Sequence, residues 1–365
     1  MKILYIVSTL RLCGPINQLF GLIKYLDRDR FEPLILTLSP EPSNSISRKF
    51  QQLNVPLYSL ALSRWKGVVF GANRLKSFVE KHHPDMIHTH GLRADILAAN
   101  NLQIYKRITT IHNYPLADYP MKYGKIMGTI TATRHFRAFR KIDLPVACSK
   151  TIQKMVKKHR INSQVVQNGV DESIYNRPTS SERLQLREKL DLPQESKIFI
   201  VVGAMIPRKQ PEMVIRGFLE SQAKAKGMLL IVGDGTLMDE CKAIAKEFSV
   251  RFTGQINDVV SYLKAADYFI SASLAEGLPY SVIEALACGL QVCLSDIEPH
   301  REILELNPEA GQLFALDNLQ NLVNCLDKLS LVDTQMPSQA ASAIVTEHLN
   351  AKRMSEKYQS LYQLG

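Results

Sequence analysis

The chain has 365 residues, 45% of them hydrophobic, and a net charge of +10. That length is long for one domain and comfortable for two, each able to bury a core. No apolar run approaches the ~20 residues of a membrane-spanning helix. The opening MKILYIV is too short for a signal peptide and lacks a cleavage site, so it reads as a first strand and the protein as cytoplasmic.

The charge is uneven. Residues 1–175 hold 26 Lys and Arg against 11 Asp and Glu, a net of +15, while residues 176–365 hold 19 against 24, a net of −5. A basic half implies an anionic partner. No helix-turn-helix, finger or RNA-reading motif is present, and aromatic residues do not interleave with the basic ones. An anionic membrane surface is therefore favoured over nucleic acid. The six cysteines, at 13, 148, 241, 288, 293 and 325, form no C-x-x-C pair and no zinc spacing, and are expected as small buried hydrophobes in a reducing compartment.

In chain order, strands are expected at 2–7, 33–38, 56–60, 86–89, 107–111, 144–148 and 164–167, with helical patterns between most of them, for example at 16–26, 73–81 and 121–140. A polar stretch at 171–194 carries no strand pattern and reads as a linker. The scheme then repeats, with strands at 198–202, 228–232, 250–252, 268–271, 291–294 and 312–314, and helices at 213–225, 237–248, 259–265 and 319–329. Such alternation predicts parallel sheets covered by helices on both faces. The expected class is α/β: two facing doubly wound, Rossmann-like domains with an interdomain cleft. The boundaries fall at 1–171 and 172–349, followed by a final helix within 350–365. Ligands of such sheets bind beyond the C-terminal ends of the strands.

Several motifs fall at those ends. Gly14, in STLRLCGPINQL, follows the first strand and precedes a helix, either as an anion site or as a plain helix start. His88 and His90, in DMIHTHG, share one face of a strand, and His112 ends the next. No carboxylate or cysteine ligand pattern accompanies them, so no metal is expected. His88 reads as a structural histidine and His112 as a substrate contact. Asn168–Asp171, NGVD, reads as a domain-connecting turn. In VGAMIPRKQ, Gly203 releases the chain and Arg208 and Lys209 bring two cations near a strand end, where a departing diphosphate needs compensating charge. Gly233, in GDG, is either a phosphate loop or a tight strand–helix turn. A D-x-D at Asp27–Asp29 sits among arginines and is not read as a metal site. Trp65, the single tryptophan, has neighbours Arg64 and Lys66 and is open to a lipid or sugar role. Residues 133–160 carry nine cations, with Ile126, Met127, Ile130, Phe136 and Phe139 nearby. That combination fits either a membrane interface or helices with a basic outer face.

The most informative stretch is EGLPYSVIEALACG at 276–289. Glu276 lies in a loop, Pro279 suits a first helical turn, Glu284 falls a turn and a half in, and Gly289 stops the helix. Free N–H groups at the helix start attract phosphate, while carboxylates accept hydrogen bonds from sugar hydroxyls. One ligand class wants both: a nucleotide-sugar.

Taken together, IHTHG at 87–91, His112, QNGVD at 167–171, Arg208–Lys209, VGDG at 232–235 and SLAEGLPYSVIEALACG at 273–289 make the chain resemble the retaining glycosyltransferases of family 4, with the GT-B fold. The resemblance covers nearly the whole length. It implies transfer of a sugar from a nucleoside diphosphate donor, UDP-sugars favoured, with retained configuration and without metal or other cofactor. Glu276 would contact donor-sugar hydroxyls and Glu284 the ribose hydroxyls. Arg208 and Lys209 would stabilise the diphosphate, with Gly203, Gly233 and the Gly277–Leu278–Pro279 turn completing the donor site. Gly14 would admit the phosphates and acceptor, and His112 would bond the sugar near its primary hydroxyl. The last helix, within 352–364, would cross back onto the first domain. Members commonly have Gly-Arg where this chain has Gly203-Ala204, which leaves two alternatives: Arg208 takes the missing guanidinium's place, or the phosphate clamp is weaker than the family's usual one. The GPINQL and IEPHRE stretches resemble bacterial enzymes of surface-polysaccharide, lipopolysaccharide and capsule assembly. This implies a lipid-linked glycan acceptor and a peripheral position on the inner membrane face. Two rivals are a nucleotide-sugar epimerase of the same fold and a non-catalytic glycan- or nucleotide-sugar-binding protein.

Overall fold

The structure, a computed structural model, describes residues 1–245, 249–331 and 338–364; the side chain of Trp65 lies outside that description. The chain divides into two compact units, residues 1–168 with 351–365, and residues 169–350. The first boundary falls three residues ahead of the expected one because most of the NGVD turn is bonded to residues later in the chain. Val170 N–H donates to Leu349 O at 2.9 Å, and the Tyr280 hydroxyl donates to Gly169 O at 3.0 Å.

The first unit carries a parallel sheet of β1 (Lys2–Val7), β2 (Glu32–Thr37), β3 (Leu57–Ser59), β4 (Met86–His90), β5 (Lys106–Ile111), β6 (Leu144–Ala147) and β7 (Gln164–Val165), in the order β3-β2-β1-β4-β5-β6-β7. The second carries β8 (Lys197–Val202), β9 (Gly227–Val232), β10 (Val250–Gly254), β11 (Tyr268–Ser271), β12 (Gln291–Ser295) and β13 (Gly311–Phe314), in the order β10-β9-β8-β11-β12-β13. Each order reverses direction once, between β1 and β4 and between β8 and β11. These are the topological switch points at which doubly wound sheets bind ligands. The strands are apolar on both faces, as covered parallel sheets require: Ile3, Leu4, Tyr5 and Ile6, and likewise Ile198, Phe199 and Ile200, are fully buried.

The final helix, Ala351–Leu364, belongs to the first unit and packs along the helix Gly14–Lys24. Its tyrosines reach a polar seam beneath β4 and β5. The Tyr362 hydroxyl bonds His88 Nδ1 at 2.8 Å, and Tyr358 bonds Thr110 Oγ1 at 2.8 Å and Gln18 Nε2 at 3.0 Å. His88 is thus a satisfied core histidine.

The helix expected over 121–140 is two helices, Pro115–Tyr123 and Lys125–Phe139. Gly124, at φ 78°, breaks it in a conformation that a side chain disfavours. The second helix then folds back so closely that a Cβ on Gly128 would overlap the Pro120 backbone. A buried relay pins this hairpin to the sheet. Asp95 accepts from Thr89, from Thr109 and from His135 Nε2 at 2.7 Å, and the Tyr119 hydroxyl bonds His135 Nδ1 at 2.7 Å. In the second unit, the helix Ser180–Lys189 is fastened by Arg183 and Arg187, whose guanidinium groups bond the two oxygens of buried Asp267 at 2.9 and 2.6 Å. Cys293 on β12 and Cys325 on the helix Leu319–Ser330 are both buried, and their sulfurs meet in the core.

Candidate active site

The second unit assembles its charged cluster at the switch point. After β8 the chain leaves at Gly203 and makes one short turn, Pro207–Lys209, before the helix Pro211–Glu220. After β11 it runs through Ser273–Pro279 into the helix Tyr280–Ala287. The two loops are tied together, because Leu274 N–H donates to Arg208 O at 2.9 Å. That link sets the side chains face to face. Lys209 Nζ lies 2.6 Å from Glu276 Oε1 and Arg208 Nη1 lies 3.1 Å from the same oxygen. Arg208 also donates to Ala275 O. Arg208 thus brings a guanidinium to the loop beside Glu276.

The Glu276 carboxylate is only 8% exposed. Burial pushes its pKa up, but Lys209, Arg208 and a hydrogen bond from Ser273 outweigh it and hold the value at about 2. Glu276 is therefore a fixed anion under all physiological conditions and a hydrogen-bond acceptor only.

Gly277, Leu278 and Pro279 are buried behind Glu276, and Pro279, as the helix cap, has no side-chain acceptor to offer the first N–H groups. Glu284 is buried on that helix, 6% exposed. The helix ends at Gly289, whose N–H donates to Leu286 O at 2.9 Å while Leu290 N–H reaches Ala285 O at 3.1 Å. Gly233, after β9, backs onto the Gly203 loop so closely that a Cβ there would overlap the Gly203 carbonyl. Gly233 thus packs directly against the loop that carries the cations.

In the first unit, Gly14 begins the helix after β1, with Cys13 as its cap and Pro15 in the first turn. His112 follows β5 at its C-terminal end. Its Nε2 lies 3.0 Å from His90 Nδ1, and the rings of His88, His90 and His112 stack in sequence at 4.3 and 5.3 Å. His90 and His112 bond each other, and His88 bonds the hydroxyls of Tyr362 and Thr110. Burial lowers His88 to about 3 and His112 to about 4, so both are neutral at pH 7. Arg208, Lys209, Glu276, Glu284, Gly203, Gly233 and the 277–279 turn thus belong to the second unit, and Gly14 and His112 to the first.

One contributor escaped the sequence reading. Ser295, at the end of β12, donates from Oγ to Ser273 O at 2.7 Å, and His300 Nδ1 sits 2.7 Å from Ser295 O. Ser273 lies three residues ahead of Glu276 in the same loop. A buried polar chain therefore runs from His300 to the loop that carries Glu276. Its only sequence signal was a histidine just past a strand end in IEPHRE.

Comparison with known proteins agrees with this architecture. Residues 182–341 match the family Glycosyl transferases group 1, and residues 16–174 match Glycosyltransferase Family 4. The chain belongs to the GT-B glycosyltransferases of this group and is a glycosyltransferase. It is 24% identical to the O-antigen biosynthesis glycosyltransferase WclY of Escherichia coli over 99% of this chain and 98% of that protein. It is 26% identical to the Escherichia coli UDP-Gal:alpha-D-GlcNAc-diphosphoundecaprenol alpha-1,3-galactosyltransferase over 70% of this chain and 69% of that one. Anabaena Alr3699/HepE, solved in complex with UDP-glucose, shares the fold with a TM-score of 0.83 at 18% identity, each chain covered in full.

Proposed function

We propose that this enzyme is a retaining glycosyltransferase. It moves a sugar from a nucleoside diphosphate sugar, UDP-sugars favoured, to a lipid-linked or surface-polysaccharide glycan, without a metal. The observation that carries the reading is the Arg208–Lys209–Glu276 cluster at the switch point, two fixed cations against one fixed anion. Arriving diphosphate draws the Lys209 ammonium away from Glu276. The released carboxylate then accepts from hydroxyls of the donor sugar beside the reacting carbon. As the bond from the anomeric carbon to the diphosphate oxygen breaks, the cations and the N–H groups after Glu276 stabilise the growing charge. The acceptor hydroxyl attacks from the face that the diphosphate leaves, so configuration is retained, and its proton passes to the departing β-phosphate. The protein contributes position and electrostatics. Glu284 accepts from the ribose hydroxyls. In the first unit the family reading gives His112 to the sugar and Gly14 to the phosphates and acceptor. The named activities of the two Escherichia coli relatives, one of which carries a UDP-sugar and a lipid-linked acceptor in its name, support this choice of substrates.

A panel of nucleotide-sugars tested for protection against thermal unfolding identifies the donor, since a ligand bound at 100 times its Kd stabilises by about 2.7 kcal/mol. Transfer from that donor should persist in EDTA. Protection by no nucleotide-sugar would reject the donor site, and loss of turnover in EDTA would reject the metal-free mechanism.

The acceptor side is proposed to work at an anionic membrane surface, on the inner face of the cell membrane. Among the described residues no helix is long and apolar enough to cross a bilayer. The helical hairpin of the first unit, however, exposes Met121, Tyr123, Ile126, Met127 and Ile130, with Ile126 78% and Met127 59% exposed. Exposed Lys122, Lys125, Arg134 and Arg137 accompany them. Apolar tips that enter the headgroup layer beside cations suit an anionic leaflet. The protein should sediment with phosphatidylglycerol-containing vesicles at low salt and less so at high salt. Ile126→Ser with Met127→Ser should weaken that binding at least about tenfold. Equal binding to neutral vesicles, or none to anionic ones, would reject the membrane assignment.

A further inference from the structure

Two histidines share one face at the end of β4. His88 spends both ring nitrogens on hydroxyl groups, Nδ1 on Tyr362 at 2.8 Å and Nε2 on Thr110 at 2.9 Å. His90 is 5% exposed and stacks on that ring. Among the described residues its ring makes one hydrogen bond, between Nδ1 and His112 Nε2 at 3.0 Å. His90 Nε2 is sealed from solvent and has no partner among the described residues. His112 differs: it is partly exposed, and its Nδ1, also without a partner among the described residues, is not sealed.

That difference decides which ring holds the shared proton. Both imidazoles are neutral, because burial keeps His90 well below its ordinary value and His112 at about 4. A neutral ring carries one N–H, so one of the two donates and the other accepts. If His112 donated, His90 would accept at Nδ1 and carry its N–H on Nε2, as an orphaned donor inside the core. If His90 donates, its Nε2 is a bare acceptor instead. Orphaned buried N–H groups are rarer than under-satisfied acceptors. His112 imposes no opposing preference, since water satisfies its Nδ1 in either form. The lower-energy arrangement therefore puts a proton on His90 Nδ1, leaves His112 Nε2 bare, and places the His112 N–H on Nδ1.

We propose that His90 is a positioning residue: it holds His112 in the Nδ1–H tautomer, so that His112 meets the donor sugar as a hydrogen-bond donor. The sugar as recipient rests on the reading of His112 as the sugar contact; the tautomer stands without it. An oxygen near the primary carbon of the sugar accepts from His112 Nδ1, and its own proton stays available to another partner. The two histidines of DMIHTHG thereby divide their work. His88 braces the sheet against the final helix, and His90 sets the chemistry of the histidine on the neighbouring strand.

Nitrogen-15 NMR of the full-length, histidine-labelled enzyme reads the tautomer of each ring, with His112→Ala assigning the His112 signals. Wild type without ligand should show His112 protonated on Nδ1 and bare on Nε2. His90→Ala should bring Nε2–H into the His112 spectrum. His90→Asn, whose amide N–H stands where the Nδ1–H stood, should keep the wild-type form. Transfer should follow the spectra: kcat/KM about three- to tenfold lower in His90→Ala, the worth of one hydrogen bond, and recovered in His90→Asn. A packing role alone would leave the tautomer unmoved, and the smaller asparagine would not restore it. A wild-type His112 that carries its proton on Nε2, or a His90→Ala spectrum of wild-type form, would overturn the inference. Should His90→Ala fail to fold, Nε2–H on His112 in the His90→Asn spectrum would overturn it equally. Undiminished transfer in His112→Ala would reject the sugar contact and leave the tautomer assignment in place.

Discussion

Lys209→Ala and Glu276→Ala should each lower the rate of sugar transfer by about 100-fold or more, with the protein still folded. The two losses have different origins. Lys209 supplies positive charge where the β-phosphate gains negative charge, so its removal acts on the transition state and should appear in kcat as well as in kcat/KM. Glu276 holds the sugar, and in the absence of ligand it also balances the two cations. Its loss leaves Arg208 and Lys209 facing each other in a largely buried pocket with no anion between them, which should raise affinity for inorganic phosphate or free nucleoside diphosphate while turnover collapses. Glu276→Gln separates the effects, since it keeps the shape and removes the charge. Because Arg208 and Lys209 contact one carboxylate oxygen, their effects should not add. Wild-type turnover in either alanine variant, measured with donor and acceptor in excess, would reject the site.

Acid should destabilise the protein well above the pH at which its carboxylates titrate. His88, His112 and His300 are buried neutral, with folded-state values of about 3, 4 and 4 against an ordinary 6.5; burial is the largest cause in each. The unfolded chain therefore takes up protons first. Their contribution is complete above pH 6.5 and is lost as pH falls through 6.5 toward 4 and 3. Each histidine is worth on the order of 3 kcal/mol across that window. Glu276 works later: its value is depressed to about 2 from 4.5, so its contribution persists at pH 4.5 and goes only as pH falls toward 2. The unfolding midpoint should accordingly drop steeply between pH 6.5 and 4, and His300→Gln should flatten that drop. A midpoint constant over the interval would show that these rings are protonated at no cost in the fold.

Much of the framework was legible because burial is written locally. A strand covered on both faces is a continuous apolar run, and the runs at 2–7, 198–202 and 268–271 coincide with β1, β8 and β11 to within a residue. The stretch EGLPYSVIEALACG was legible for a similar reason: loop carboxylate, helix start and stopping glycine all lie within fourteen residues. What escaped depends on contacts between distant residues, which leave no periodicity. His88 meets Tyr362 across 274 positions, and Cys293 meets Cys325 across 32. The pairing of Arg208 and Lys209 with Glu276 was inferred from chemistry, but the bond from Leu274 to the Arg208 carbonyl that enforces it involves only main-chain atoms and carries no side-chain signature. The break at Gly124 was missed because glycine is tolerated in helices; the close packing of Gly128 on Pro120 decides the matter, and that too is tertiary.

The place of the helix Ala351–Leu364 in the first unit bears on how the molecule comes off the ribosome. The middle of the chain, residues 169–350, is one uninterrupted segment and can reach its final form as soon as it emerges. The sheet begun at residue 2 must wait. Until positions 358 and 362 are synthesised, His88, Thr110 and Gln18 lack the phenol groups that bond them, and the apolar face of Leu19 and Leu22 stays wet. The part of this unit translated first is thus the last to complete its packing, since its sheet waits for a helix translated after the whole of the second unit.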